Sequence, residues 1–260
     1  MSDPLLSVSY KLERAKAHLD DLEKLIKEYF GLDPYLIERL EDTSTGDLVY
    51  LVRVKHEVPL SIALPAGDVV HNLRSVLDHL IWRIVELSGG TPTRSTCFPI
   101  RKDNQGIDDA INQALDGAND RAKSLVRRLK PYQGSNDLLW KLHSLDIVDK
   151  HRLLIGVGSA YKNVVIQMKM DVPWQDEPVV MPPFALNPAD RLFPLDDRDE
   201  LFRIKAQARE SGPNMLDPKF TFEIAFGDGE AVLGEPMVPT LRSIHSYVDR
   251  VVKLFVRYAT

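Results

Sequence analysis

Residues 68–87, DVVHNLRSVLDHLIWRIVEL, gather side chains that could do chemistry on one predicted helix. Apolar residues recur at helical spacing and form one stripe, while polar residues occupy the opposite side. Arg74 is a forked cation suited to phosphate or carboxylate, and His79 titrates close to neutral pH. These types favour acid–base chemistry on an anionic substrate, with Asp78 beside them. The other polar members of this face are His71, Asn72, Ser75, Trp82 and Arg83.

The same face allows two interpretations without catalysis. Arg74 and Asp78 stand four residues apart, so they can form an ion pair on a solvated helix. Buried Arg–Asp and His–Asp pairs can also fix the register of a dimer or partner interface. Trp82 argues against full solvation, because a large indole on an exposed face is unusual and indicates a covering element. Catalysis, a solvated face and an interface all stay open.

A second polar cluster, HSLDIVDKHR, spans residues 143–152. Three cations end it and favour the negative end of a helix dipole, which gives them a structural role. The functional alternative is that this helix end lies against 68–87. Asp149 would then orient His79 or His71, and the neighbouring cations would hold a phosphate. The residues assigned to substrate binding or positioning are His71, Asn72, Ser75, Asp149, Lys150, His151 and Arg152.

A metal site is a further alternative, because imidazole nitrogen and carboxylate oxygen are ordinary metal ligands in helical bundles. Neither Glu-x-x-His nor His-Glu-x-x-His occurs, and no Gly-rich phosphate loop is present. We therefore expect no cofactor and no metal in the functional site. The candidate ligands for the alternative are His71, Asp78, His79, His143, Asp146 and Asp149.

The spacing of Arg74 and His79, an arginine and a histidine separated by four residues, resembles the signature of the HEPN superfamily of helical-bundle proteins. The resemblance implies a metal-independent endoribonuclease in which two copies of the chain form one RNA-cleaving site. It implies Arg74, His79 and Asp78 as the catalytic residues. Such a toxin or phage-defence component would form a homodimer. Its other partners would be RNA and an antitoxin protein.

On this interpretation His79 acts as general acid or base while a ribose 2′-OH attacks the adjacent phosphorus, and Arg74 stabilises the phosphorane. A basic segment would contact the RNA backbone. Its cations are Arg121, Lys123, Arg127, Arg128 and Lys130.

A second resemblance covers more of the chain. The segments LRSVLDHLIW (73–82), LKPYQG (129–134) and LDIVDKHRLL (145–154) are together similar to a set found in bacterial proteins of unknown function. This similarity, of the form LRxxLDHLxW followed by DKHR, implies a shared fold and no particular activity.

The elements that position these residues follow from periodicity and turn signals. Apolar residues at helical spacing alternate along the chain with runs rich in β-branched and aromatic residues. We expect an α+β fold, a HEPN-like helical bundle with a small, mostly antiparallel sheet, in a single domain over 1–260. The predicted helices cover about 5–30, 66–89, 107–153 and 237–258, and the β elements about 35–56, 154–172 and 201–235.

Composition limits the class of protein. The 260 residues are 44% hydrophobic and carry a net charge of −5, so the chain as a whole does not attract polyanions. Cys97 is the only cysteine, which excludes a disulfide framework, and we expect it to be a small buried residue. No apolar run predicts a signal peptide or a membrane span, so we expect a cytoplasmic protein without membrane contact.

Overall fold

The computed structural model describes residues 5–152, 157–170, 175–187, 192–211, 214–215, 217–227 and 229–259. Over these residues the chain combines helices with small antiparallel sheets, which confirms the predicted α+β class. The helices are α1 (Leu6–Phe30), α2 (Ala63–Leu87), α3 (Ile107–Ala114), α4 (Asp120–Leu129), α5 (Asp137–Arg152), α6 (Ala206–Ser211) and α7 (Met237–Ala259). The strands are β1 (Tyr35–Glu41), β2 (Leu48–Val54), β3 (Val157–Ile166), β4 (Met168–Met170), β5 (Val179–Val180), β6 (Phe184–Leu186), β7 (Glu200–Ile204), β8 (Asn214–Met215) and β9 (Lys219–Phe226).

The chain divides into two compact units. The helical unit comprises residues 1–25, 60–156 and 228–260, and the sheet unit comprises residues 26–59 and 157–227. Most predicted helices therefore fall in the first unit and most predicted strands in the second. A single domain and a specifically HEPN-like bundle both stay predictions.

Helix α2 is the centre of the helical unit, with α5 and α7 packed against it. Its predicted core stripe is buried, and burial extends beyond that stripe to Val70, Ile81 and Val85. A helix covered on several sides must find protein partners for its polar groups as well. The buried residues of the predicted stripe are Val69, Leu73, Val76, Leu77, Leu80 and Ile84.

The start of α2 differs from the sequence prediction. Aspartate is a favoured N-cap residue, so the sequence predicts Asp68 as the cap of this helix, but the helix begins at Ala63, directly after a 3-10 turn over Leu60–Ile62. That expectation is wrong because Pro65 lies in the first turn, where a missing amide hydrogen costs no intrahelical bond. Gly67 is consequently a buried residue inside the helix.

Within the predicted helical range 107–153, the first part forms two helices, α3 and α4, on either side of Gly117. The φ of Gly117 is 78°, a left-handed conformation that glycine adopts without a steric penalty. Asn136 caps α5, since its Oδ1 atom accepts a hydrogen bond from the Leu139 amide at 3.3 Å. Helix α6 is absent from the sequence prediction, which assigns its segment to β structure.

The described residues of the sheet unit form three small sheets. The predicted β segment 35–56 is a hairpin, in which β1 and β2 pair antiparallel from Tyr35 opposite Val54 to Glu41 opposite Leu48. Strand β2 also pairs with β7, β3 lies between β6 and β9, and β4 lies between β5 and β8. Residues of β2, β3 and β7, together with Leu195 from the segment before β7, build one core. Its buried members are Val52, Tyr161, Val164, Ile166, Leu195 and Leu201.

The packing of α5 on α2 depends on the missing side chain of Gly67. A Cβ atom at this position would overlap the Asp149 carboxylate, whose Cγ would lie only 3.2 Å away. We expect Gly67→Ala to lower the free energy of unfolding by about 1 kcal/mol or more. In an Asp149→Ala background the same change should stabilise by up to about 1 kcal/mol, because alanine is the better helix former. Urea denaturation of the four proteins measures this double-mutant cycle. An equal effect of Gly67→Ala in both backgrounds would contradict the close approach.

Candidate functional site

Arg74, Asp78 and the backbone of Phe98 form a closed set of contacts that we call the loop clamp. The Asp78 Oδ1 atom accepts a hydrogen bond from the Phe98 amide at 2.8 Å. The Arg74 Nη2 atom donates to the Phe98 carbonyl oxygen at 2.8 Å and lies 3.1 Å from Asp78 Oδ1. The clamp fastens the CFPI segment, residues 97–100, to the middle of α2.

The burial of Arg74 makes its contacts with Asp78 and Phe98 important for the stability of the fold. Only 9% of the Arg74 surface is exposed, and a buried guanidinium is costly unless it is paired and hydrogen-bonded. Burial raises the pKa of the Asp78 carboxyl, while the Arg74 charge and the Phe98 amide act in the opposite direction. The four-residue spacing predicted the ion pair, but the shared loop residue Phe98 was not foreseen.

A cavity of about 310 Å³ lies beside the loop clamp, and we call it the Arg74 cavity. Arg74, Arg101 and His143 supply its basic side chains, and the CFPI segment and α3 supply mostly apolar walls. Two buried atoms on these residues, Arg74 Nη1 and His143 Nδ1, have no hydrogen-bond partner within the described part of the chain. Burial lowers the pKa of His143, and the Arg74 charge lowers it further.

His79 lines a different cavity, of about 350 Å³, which we call the His79 groove. Trp82 and Arg83 line it from the next turn of α2, and Ser7 lines it from α1. Trp82 is 41% exposed, and its indole N–H donates to Glu86 Oε1 at 3.0 Å. Arg83 Nη1 lies 2.6 Å from the other Glu86 oxygen, so the groove carries both signs of charge.

The surroundings of His79 favour the neutral form of its imidazole at pH 7. Burial lowers its pKa below the ordinary value of 6.5, and the positive charges of Lys11 and Arg83 lower it as well. The negative charge of Asp78 acts the other way. A neutral imidazole has a free lone pair, so His79 can accept a proton from a substrate in the groove.

Arg74 and His79 do not meet at one cavity within a single chain. Five positions along a helix turn the side chain by about 140°, so the two residues face different neighbours. Arg74 is held in the loop clamp, while the charges that act on His79 come from Lys11, Asp78 and Arg83. Among the described cavities, Arg74 and His79 therefore line two different ones.

The other polar residues of α2 lie towards its N-terminal half. Asn72 is buried, and its Oδ1 atom accepts a hydrogen bond from Lys11 Nζ of α1 at 3.3 Å. The Asn72 side-chain amide donates to the Asp68 carbonyl oxygen at 2.8 Å. Ser75 is half-buried and His71 is exposed. Asn72 therefore links α2 to α1, a role that the sequence alone did not indicate.

The end of α5 lies against the first turns of α2, at Gly67. Asp149 lies beside Gly67, and the charge of His71 acts to lower the pKa of its carboxyl. Burial and Asp146 outweigh that effect and raise the pKa. Lys150 Nζ donates to Asp146 Oδ2 at 2.6 Å within the same helix. The side chains of His151 and Arg152 lie outside the described residues.

Sequence reasoning missed Arg101 and considered His143 only as a metal ligand. Nothing near Arg101 in the sequence marks it, because its position depends on how the loop clamp folds the CFPI segment back onto α2. Cys97 is exposed, so the expectation of a small buried residue is wrong. The loop clamp holds Cys97 through its neighbour Phe98 and leaves the thiol at the surface.

The described part of the chain contains neither a group of metal-binding residues nor a membrane-spanning helix. No group of three or more histidine, cysteine, aspartate or glutamate residues is arranged there to hold a metal ion. No helix there has both the length and the apolar character needed to cross a membrane.

Comparison with protein-family models gives no match for this chain, and comparisons with curated proteins and with solved structures give none either.

Removing the Asp78 carboxylate should open the loop clamp. Asp78→Ala removes the ionic partner of the Arg74 guanidinium and the acceptor of the Phe98 amide, so we expect a loss of about 2–3 kcal/mol in the free energy of unfolding. Glu86→Ala is the matched control on the same helix, because its ion pair with Arg83 is exposed and should cost less than about 1 kcal/mol. Urea denaturation followed by circular dichroism measures both. Equal costs for the two variants would show that the clamp does not stabilise the fold.

Proposed function

We propose that the helical unit cleaves RNA without a metal ion and that the His79 groove is the reacting site. The observation that supports this most directly is the presence of His79, with its lowered pKa, and an exposed Trp82 in one groove. A neutral imidazole can take a proton from a hydroxyl group, and an exposed indole face can stack on an unpaired base. Control by an antitoxin protein would make such an enzyme a toxin or a phage-defence component.

In the proposed reaction His79 removes the proton from a ribose 2′-OH. The 2′ oxygen forms a bond to the adjacent phosphorus and the bond from phosphorus to the 5′ oxygen breaks. The products are a 2′,3′-cyclic phosphate and a 5′-OH end, and the leaving oxygen takes a proton from a general acid. His79 is the single histidine that lines the described groove. A second copy of the chain would supply the second imidazole, in agreement with the dimer that the HEPN resemblance implies.

Charge on the phosphorane would be stabilised by the cations next to His79. Lys11 and Arg83 are the two whose charges act on the imidazole. The bond to Asn72 holds the Lys11 ammonium close to α2. Fixed cations at the place where negative charge develops lower the barrier, because they need no reorganisation during the reaction. Within one chain Lys11 thus takes the task that the resemblance assigns to Arg74, and Arg74 supports the site by holding the loop.

A non-catalytic interface is the second candidate function. The exposed indole of Trp82 favours it, because large aromatic rings are enriched where proteins bind one another. The occupant would be a second copy of the chain, with both α2 helices contributing to the contact. RNA cleavage distinguishes the candidates, since an interface alone leaves RNA intact.

Cleavage of total RNA and transfer RNA in EDTA tests the proposed activity. We expect the purified protein to yield 2′,3′-cyclic phosphate ends. His79→Ala should slow cleavage by at least about 100-fold, the lower range for loss of a general acid or base. His56→Ala is the control, because this exposed histidine belongs to the sheet unit and should leave the rate unchanged. Circular dichroism confirms that each variant is folded. No cleavage by the wild type, or equal cleavage by wild type and His79→Ala, would contradict the proposal and favour the interface.

The pH dependence of cleavage reports the state of His79. Activity should fall as pH drops through the His79 pKa, because the protonated imidazole cannot take the 2′-OH proton. Since the pKa is lowered, the midpoint of this acid limb in kcat/KM should lie below 6.5. Lys11→Gln removes a positive charge that lowers the pKa, so it should move the midpoint to higher pH. A midpoint that Lys11→Gln leaves unmoved would assign the limb to another group.

A further inference from the structure

The Arg74 cavity is not used by the proposed cleavage reaction, and its chemistry differs from that of the His79 groove. Arg74, Arg101 and His143 line it, whereas no aspartate or glutamate is among its described lining residues. Asp78, the ionic partner of Arg74, lines the His79 groove instead. The polar part of the Arg74 cavity therefore favours negative charge.

Two of its basic residues have unused hydrogen-bonding capacity. The described residues contain four buried side-chain polar atoms without a partner, and two of them are Arg74 Nη1 and His143 Nδ1. A buried donor without an acceptor costs about 1–3 kcal/mol, and more when the group is charged. Arg74 is nine-tenths buried, so its second amino group lacks the acceptor that such a group normally has.

The walls of this cavity are held in place before any ligand arrives. The loop clamp fixes Phe98 on one side. The backbone of Arg101 is fixed on the other side, because its amide donates to the Pro131 carbonyl at 3.0 Å and its carbonyl accepts from the Gln133 amide at 3.2 Å. Arg101 itself is exposed, which leaves its guanidinium accessible at the rim. Preorganised walls reduce the entropic cost of binding.

Size and lining indicate a small organic ligand. The volume of about 310 Å³ is at the lower end of the range of about 300–1,000 Å³ for small-molecule pockets. Phe98, Pro99 and Ile100 from the CFPI segment and Ala110 and Ala114 from α3 give it apolar walls. Such walls suit a ring or short chain, while a guanidinium fork suits two oxygens of one anionic group.

We propose that the Arg74 cavity binds a small organic anion, with a phosphate or carboxylate group between Arg74 and Arg101 and an apolar ring or chain against the CFPI segment and α3. Ser95 and Gln113 lie in the same walls and offer neutral donors to the ligand. The site is separate from the His79 groove, since neither His79 nor Trp82 lines it.

Isothermal titration calorimetry of the full chain with three probes tests this site. Phenyl phosphate and benzoate carry the two candidate anionic groups on the same ring, and phenol is the neutral control. We expect at least one anion to bind, and phenol to bind at least about tenfold more weakly. The tighter of the two anions identifies the preferred group. No binding of either anion up to about 10 mM, or equal binding of phenol, would overturn the proposal.

Arg101→Gln and Arg94→Gln form the matched pair of variants. Arg101 lines the rim and Arg94 is an exposed arginine that does not line the cavity. Arg101→Gln should weaken anion binding at least about tenfold, the loss expected for a charge-assisted hydrogen bond, and Arg94→Gln should leave it unchanged. Equal affinities of wild type and Arg101→Gln would overturn the site. Neither experiment contains RNA, so the result is separate from the outcome of the cleavage assay.

Discussion

The buried guanidinium of Arg74 constrains the rest of the helical unit. Helix α2 is covered by α5 and α7, and most of its apolar residues are buried. A charged side chain on α2 therefore reaches water at only a few positions. Arg74 must therefore be satisfied by protein groups, and the loop clamp provides a carboxylate and a backbone carbonyl for this purpose. The requirement fixes the CFPI segment, and the fixed segment in turn forms one wall of the Arg74 cavity. One polar contact thus determines both a loop conformation and a candidate binding site.

Helical geometry explains why the two residues of the Arg-x4-His motif have different surroundings. A step of five residues rotates a side chain by about 140°, so a helix that presents Arg74 to the loop presents His79 to α1 and solvent. The resemblance to HEPN proteins rests on residue spacing alone, and spacing does not indicate which elements pack on each side of the helix. For this chain the two residues of the motif lie on two faces of α2 and line two different cavities.

Periodicity and composition were sufficient to predict helix over α1, α2, α5 and α7 and β structure over β1, β2 and β9. The start of α2 was mispredicted at Asp68, because the helix extends back through Pro65, and proline is compatible with a first helical turn. The partners of Arg74 could not be predicted in full. Asp78 is four residues away and follows from helix geometry, but the Phe98 backbone is a contact across 24 residues, and backbone groups carry no sequence signal. Arg101 and His143 were missed as parts of one cavity for the same reason.

Asp78 connects the two candidate sites, and this affects how its variants can be interpreted. Its Oδ1 atom bonds to the Phe98 amide and lies next to Arg74, while the residue also lines the His79 groove. Its negative charge raises the pKa of His79. A loss of activity in an Asp78 variant would therefore combine an opened loop with a changed imidazole, so it would not identify Asp78 as a catalytic residue. Lys11 takes no part in the loop clamp, so the pH midpoint of a Lys11 variant reports the effect of its charge on His79 without an opened loop.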